Sequence, residues 1–178
     1  MDNDFPEIKT KRLILRRLRE DDIDTVYRNW SDPVTMEKLS AGCLTYDQTE
    51  EILAVLQSLW EVNAGIRWGI EMDGQLLGTC GFHNLNMPSK RAEVGYELYH
   101  AFWRQGIMKE AMQAVIDFGF YELNLVRIEA FTNVDNERST GFLRHLGFTE
   151  EGTLRDYEDS WQGFIDQRCF SILRREWK

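Results

Sequence analysis

The stretch RAEVGYELYHAFWRQGIMKEA, residues 91–111, decides the fold. Its opening residues alternate: Ala92, Val94, Tyr96 and Leu98 fall on one face, and Glu93, Gly95 and Glu97 on the other. That period of two predicts a strand over 91–99 with one packed face. The period breaks across 100–105, and helical spacing then predicts a helix from about Gly106 to Glu122. A strand that feeds a helix through a short loop gathers unpaired backbone N–H groups and the positive end of the helix dipole, which together bind anions. Gly106 would let backbone approach a ligand where a side chain would block it. Arg104 and Lys109 add local positive charge. The same features also describe an ordinary strand–helix turn with a glycine in it.

Working outward, residues 66–72 and 75–82 flank Asp73-Gly74, a hairpin signal. Thr45-Tyr-Asp-Gln48 has capping-box spacing, and Ile52, Val55, Leu56, Leu59 and Trp60 continue a helix to about residue 62. Residues 12–18 read as a strand with Leu13 and Leu15 packed and Arg12, Ile14 and Arg16 on a solvated face. Asp21, Asp22 and Asp24 open a short helix that ends near Trp30, before Ser31-Asp-Pro33. Downstream come a strand over 126–132, a helix over 136–145 stopped by Gly147, and strands over 150–157 and 166–174. The order β-α-α-β-β-β-α-β-α-β-β predicts one α/β domain (of the α+β kind) over 1–178. Its sheet is mixed, largely antiparallel and flanked by helices on both faces.

Composition narrows the function. With 43% hydrophobic and 29% charged residues, the chain can bury a core and is not disordered. No apolar run approaches the roughly 18 residues of a membrane span, and the acidic start lacks a secretory pattern, so a cytoplasmic protein without membrane contact is expected. The net charge of -9 argues against nucleic acid as partner and suits a cationic acceptor. Cys43, Cys80 and Cys169 form no CxxC pair and read as reduced core thiols, with no metal site expected. Neither a Walker-type loop nor a dinucleotide fingerprint is present, so ATPase and dehydrogenase readings lose their support.

The chain resembles the GNAT acetyltransferase superfamily, and within it the RimJ/RimL-type ribosomal-protein N-acetyltransferase branch. The resemblance is carried in order by TKRLILRRLREDD, SDPVTME, IRWGIEMDGQLLGTCGFHNLN, the stretch at 91–111, FTNVDNERSTGFLRHLGFTEEGTLRD and FSILRREW. It implies acetyl-CoA as donor, a primary amine as acceptor, and by analogy a homodimer through the late strands. The family's diphosphate loop, Q/R-x-x-G-x-G/A, falls on Trp103, Arg104, Gln105, Gly106, Ile107 and Met108, beside Lys109. Trp103 and Met108 depart from that pattern, in a loop that binds through backbone amides. The backbone around Leu98 is then expected to hydrogen-bond the pantetheine arm, with Asn136 and Ser139 contacting it from the second segment.

Acetyl transfer to an amine needs a neutral amine, a polarised thioester carbonyl and a proton for the departing thiolate. Deprotonating an α-amine at pH 7 costs roughly 1 kcal/mol, and a lysine-like amine roughly 4.6 kcal/mol. Holding donor and amine together supplies much of the rate, and acid–base help adds about 10²–10⁴-fold. Glu93, on the donor strand opposite Val94 and Tyr96, is the candidate base; its structural counterpart is a strand carboxylate paired with Arg91 or a neighbour. Glu97 is a weaker candidate, and Glu129 reads as a structural pair. Many family members donate a proton from a tyrosine in the second cofactor helix, where this chain has Leu143. The branch's serine falls on Ser139, which also reads as a small residue that lets the helix pack closely against the cofactor. His83, His100 and His145 assemble no motif. Trp30, Trp60 and Tyr46 line an acceptor cleft or belong to the core. The expected activity is direct attack in a ternary complex on a protein or peptide N-terminus. The alternatives are a small-molecule amine (polyamine, amino acid or antibiotic) as acceptor, or a non-catalytic acyl-CoA-binding domain.

Overall fold

Why the sheet takes its shape follows from the strand patterns. In the computed structural model, which describes residues 5–178, the strands are β1 (Ile8–Lys9), β2 (Ile14–Arg17), β3 (Ile66–Met72), β4 (Gln75–Asn86), β5 (Arg91–Leu98), β6 (Arg127–Asn133), β7 (Thr149–Ser160) and β8 (Gly163–Leu173). The helices are α1 (Ile23–Trp30), α2 (Pro33–Met36), α3 (Tyr46–Ser58), α4 (Ile107–Asp117) and α5 (Glu137–His145). Residues 1–4, part of the acidic start read against a secretory signal, lie outside the described residues. One eight-stranded sheet runs β1-β2-β3-β4-β5-β6-β8-β7, antiparallel except where β5 meets β6.

The period-two reading of 91–98 holds: Ala92, Val94 and Leu98 are buried against Ile107, Ala111 and Val115 of α4. A second apolar cluster joins Val26 and Trp30 of α1, Met36 of α2 and Leu53 of α3 to Leu76 of β4. Leu77, the next residue along the same strand, belongs to the first cluster. Consecutive strand residues point to opposite faces, so helices cover both sides of the sheet.

Several boundaries differ from the sequence reading. The break at Ser31-Asp-Pro33 is also a start: Asp32 Oδ2 accepts from the Thr35 N–H at 2.6 Å and Pro33 opens α2. The Thr45–Gln48 capping box forms, but α3 stops at Ser58. The long helix ends at Asp117 and continues as a π-helical turn over Phe118–Glu122, where Gly119 admits the Phe82 ring. The late strands are longer than read and form one hairpin, with nearly all of β7 exposed.

The face of β2 read as solvated is closed by the second helical layer. Arg16 is buried, with Nη1 and Nη2 donating to Asp22 Oδ2 and Oδ1 at 2.7 and 2.8 Å and Nε to Glu71 Oε2 at 2.5 Å. Burial works to raise the Asp22 carboxyl, but Arg16 and the Arg19 N–H outweigh it and hold it below the usual carboxylate range. The cysteine reading holds only for Cys80, whose burial pushes its thiol up to about 12. Cys169 is half-buried and Cys43 exposed, because 43 lies in the loop before α3 rather than in a layer. No helix among the described residues is long and apolar enough to cross a membrane.

Candidate acetyl-donor and acceptor site

The site begins where the sheet splits. β5 and β6 are in parallel register only over Arg91–Glu93 against Arg127–Glu129. Beyond that the strands separate, and a cavity of about 880 Å³ lies between Val94, Gly95, Tyr96 and Leu98 on one side and Phe131, Thr132 and Asn133 on the other. It reaches from Trp103 and Gly106 at one end to His83, Glu93 and Glu158 at the other. A more open depression of about 560 Å³ runs along residues 153–157 of β7 alone.

At the first end the chain turns through two left-handed residues, Arg104 at φ 62° and Gly106 at φ 73°. A Cβ on Gly106 would meet only Arg12 Nη2, at 3.6 Å, so the glycine is required by its backbone angle and not by crowding from the protein. The first intrahelical bond of α4 runs from the Glu110 N–H to Gly106 O at 3.1 Å. Ahead of it, the N–H groups of Ile107, Met108 and Lys109 have no acceptor among the described residues, which makes them free to hold an anion. The Ile107 side chain itself is in the core. Lys109 Nζ donates to His145 Nε2 at 2.9 Å. Gln105 Nε2 donates to Ala101 O at 3.2 Å, and Gln105 O accepts from Arg12.

Trp103, the first departure from the family loop, is a structural element. Its Nε1 donates to Leu98 O at 2.7 Å, tying the end of β5 to the loop. Arg138 lies 3.7 Å from the centroid of the same indole. It lines the cavity and makes no ion pair among the described residues; burial draws its guanidinium below the usual range, against the pull of Glu37. Sequence reading passed over Arg138 because it sits beside the motif residues and carries no spacing of its own.

Along the middle of the cavity, Asn136 caps α5, its Oδ1 accepting the Ser139 N–H at 3.1 Å, which leaves its amide NH₂ for a ligand. Ser139 Oγ is 2.8 Å from Tyr96 Oη. Burial raises the Tyr96 phenol well above its ordinary value, so it stays protonated. Leu143 is fully buried, so the helix offers a core side chain where the usual tyrosine would stand.

At the other end, Glu93 pairs with His83 Nε2 at 2.8 Å and accepts from Asn84 Nδ2 at 3.0 Å. Arg91 pairs instead with Glu129, which also accepts from Arg127, so Glu129 is the structural pair expected. Glu97 is buried and saturated: Thr79 Oγ1 lies 2.6 Å and Trp30 Nε1 3.1 Å from its Oε1, and Arg67 donates to Oε2. Trp30 therefore reaches the cavity only through Glu97. Trp60 packs against the core and Tyr46 is exposed, so none of the three borders the cavity. Glu158, from the long β7, is a cavity carboxyl the sequence reading missed; burial and the nearby Glu93 raise it.

A strand opened beside a second strand, with a bare helix N-terminus at one end and polar groups at the other, is a groove for a long molecule with an anionic head. The acetyltransferase (GNAT) domain profile matches residues 12–149. This chain belongs to the GNAT acetyltransferase family. Acetyl-CoA is its donor, and its reaction is N-acetyl transfer. The N-acetyltransferase YoaA of Bacillus subtilis is 38% identical over 173 residues, covering 96% of this chain and 98% of YoaA. The N-acetyltransferase p20 of Bacillus licheniformis is 37% identical over 172 residues, covering 94% and 96%. The crystallised RimL, a ribosomal L7/L12 α-N-protein acetyltransferase in complex with coenzyme A, superposes at TM-score 0.84 over 94% of this chain and 98% of its own. At 20% identity that likeness carries the fold alone.

The groups present suit such a donor. Three free N–H groups and the dipole of α4 would face a diphosphate, the parted strands leave room for an extended arm, and the Asn136 amide borders the same cavity. Among the described residues no group of three or more His, Cys, Asp or Glu is placed to hold a metal ion.

Proposed function

We propose that this acetyltransferase acylates the α-amine of a peptide or protein N-terminus, by direct attack in a ternary complex. The observation that carries this reading is the charge balance at the Glu93 end of the cavity. Glu97 is neutralised by Arg67 and Lys38 pairs with Asp135, which leaves the negative charge of this end on Glu158 and on Glu93 beside the imidazole of His83. Acidic charge gathered at one end suits a single ammonium better than the spaced charges of a polyamine. An α-amine also needs only about 1 kcal/mol to lose its proton at pH 7. At the cavity wall, Phe131 stacks on exposed Tyr157 at 5.1 Å, an apolar ledge for the residues that follow a peptide's first.

Each residue then has a task. The loop 103–109 anchors the donor through backbone N–H groups, and Leu98 and Asn136 align the arm. When bound, acetyl-CoA supplies the activated acyl carbon. The Glu93 end accepts the amine proton, and Ser139, hydrogen-bonded to the protonated Tyr96, donates toward the departing sulfur. Alignment supplies most of the rate, with the proton transfers adding about 10²–10⁴-fold. The homodimer expected from resemblance would cover the free edge of β7, and sedimentation of the intact chain reads it directly. The cytoplasmic setting expected from the sequence suits such an acceptor.

The test is calorimetric titration with acetyl-CoA, with free CoA and NAD as controls, followed by thiol release from acetyl-CoA with seryl, alanyl and methionyl peptides and with spermidine. Binding of acetyl-CoA and not NAD, with peptide turnover above spermidine turnover, supports the proposal. Spermidine turnover above every peptide overturns the acceptor assignment, and binding without turnover on any amine favours the acyl-CoA-binding alternative.

A further inference from the structure

Glu93 does not meet the cavity alone. His83 stands opposite it in the β4–β5 register, with Nε2 2.8 Å from Oε1, while Asn84 Nδ2 donates to Oε2 at 3.0 Å. Both carboxylate oxygens are engaged from the β4 side. Burial works to raise this carboxyl, but His83 and Asn84 outweigh it and hold it below the usual carboxylate range. A carboxylate stabilised in this way is a poor first acceptor for a proton from an amine.

The imidazole is differently placed. When Nε2–H is donated to Glu93, Nδ1 carries the lone pair, and Nδ1 has no hydrogen-bond partner among the described residues. The free edge of the ring lies over β5 at Gly95: a Cβ built there would be 3.1 Å from Cε1 and 3.4 Å from Nδ1. Any side chain at 95 would thus press on this edge of the ring, which the glycine leaves clear at a point bordering the cavity. The other charged groups near this edge are Arg67 of β3, whose Nη1 would be 2.8 Å from that Cβ, and Glu158 of β7.

We infer that His83 Nδ1 is the first acceptor of the amine proton and that Glu93 is the positioning residue that fixes the tautomer and orientation of the ring. A carboxylate holding one imidazole nitrogen while the other faces the reacting group is the arrangement that makes histidine an efficient base near neutral pH. This inference rests on the proposal that the Glu93 end receives the amine. In the step, the amine nitrogen forms a bond to the acyl carbon and loses a proton to Nδ1. The carbon–sulfur bond breaks with its electron pair going to sulfur, which takes a proton from Ser139 or water. Amide, thiol, an imidazolium and the Ser139 alkoxide (or hydroxide) result; the 37%-exposed His83 side chain returns its proton to solvent, and solvent restores the proton of the donor.

Two experiments on the intact chain test the assignment. The first is ¹⁵N NMR of histidine-labelled protein above neutral pH, which needs no acceptor. His83 is expected with Nδ1 bare and Nε2 protonated, an order lost in Glu93→Gln; the opposite tautomer in the wild type overturns the proposal. The second is the pH profile of kcat/KM with acetyl-CoA and an alanyl tetrapeptide. His83→Ala should lower kcat about 10²-fold with acetyl-CoA affinity unchanged, abolish the acidic limb, and recover in part with added imidazole. Glu93→Gln should lower kcat yet keep an acidic limb. Retention of that limb in His83→Ala, with its loss in Glu93→Gln, makes the carboxylate the base and overturns the proposal. Absence of turnover by the wild type on this peptide removes the acceptor reading instead, and the NMR result then decides the His83 assignment.

Discussion

Replacing Arg12 by alanine should loosen the donor loop through contacts no ligand makes. Thr10 Oγ1 and the Arg12 backbone N–H donate to Glu110 Oε1 at 2.6 and 2.8 Å, Arg12 Nε donates to Oε2 at 2.7 Å, and Arg12 Nη1 donates to Gln105 O at 3.0 Å. The loop ahead of α4 is thereby tied to the turn between β1 and β2. Arg12→Ala removes the last two of these bonds. The Arg12 and Glu110 side chains are 41% and 19% exposed, so after solvent screening their ion pair contributes about 0.2–1 kcal/mol. The exposed bond to the Gln105 carbonyl adds roughly 1 kcal/mol. If half of the resulting ~1–2 kcal/mol is felt by the bound state, acetyl-CoA affinity falls about 2–5-fold. Calorimetry gives the affinity and urea unfolding the stability, with Glu110→Gln completing a double-mutant cycle. Coupling of about 0.5 kcal/mol or more between the two sites is expected. A stability loss of that size with unchanged acetyl-CoA affinity would refute the clamp. So would an affinity loss fully restored by Arg12→Lys, which keeps the charge but not the fork.

Two further substitutions probe the frame of the site. Arg16→Met strands two carboxylates in the core and should cost about 3–5 kcal/mol at pH 7 in urea unfolding. Because Asp22 is held below its ordinary value, its contribution is present above about pH 4 and lost as pH falls through the depressed value; the gap between wild type and variant should therefore narrow in acid, and a gap that widens would contradict the assignment. Leu143→Tyr restores the side chain common elsewhere in the family at a fully buried position, so it should lose about 1–3 kcal/mol of stability and gain no turnover. Faster turnover in that variant would mean the helix can turn the phenol into the cavity.

What was legible in the sequence was the backbone logic of the site. Alternation over 91–98 and the glycine ahead of α4 make both the strand and the turn that opens the helix legible, because those signals are local. What stayed hidden depended on pairing between distant segments. Tyr96 was assigned to the packed face, and its hydroxyl meets Ser139, 43 residues away. His83 and Glu93 face each other only through a register that shifts between His83 and Asn86, so no hairpin rule could align them in advance. Arg16 looked solvated because alternation reports one buried face, while α1–α3 close the second.

The parting of β5 and β6 has a consequence for the lifetime of the protein as well as for its chemistry. Two half-sheets meet across three paired positions, and the amides of 94–98 and 130–133 that face the gap lack a strand partner. A donor lying in that gap, as proposed, would supply the missing rung, and could do so only in the folded chain. At a hundred times its dissociation constant such a ligand adds about 2.7 kcal/mol to the free energy of unfolding. With the gap empty, the seam would open more often to hydrogen exchange and to proteases, so that the level of this ligand would bear on how long the chain stays folded as well as on how fast it turns over.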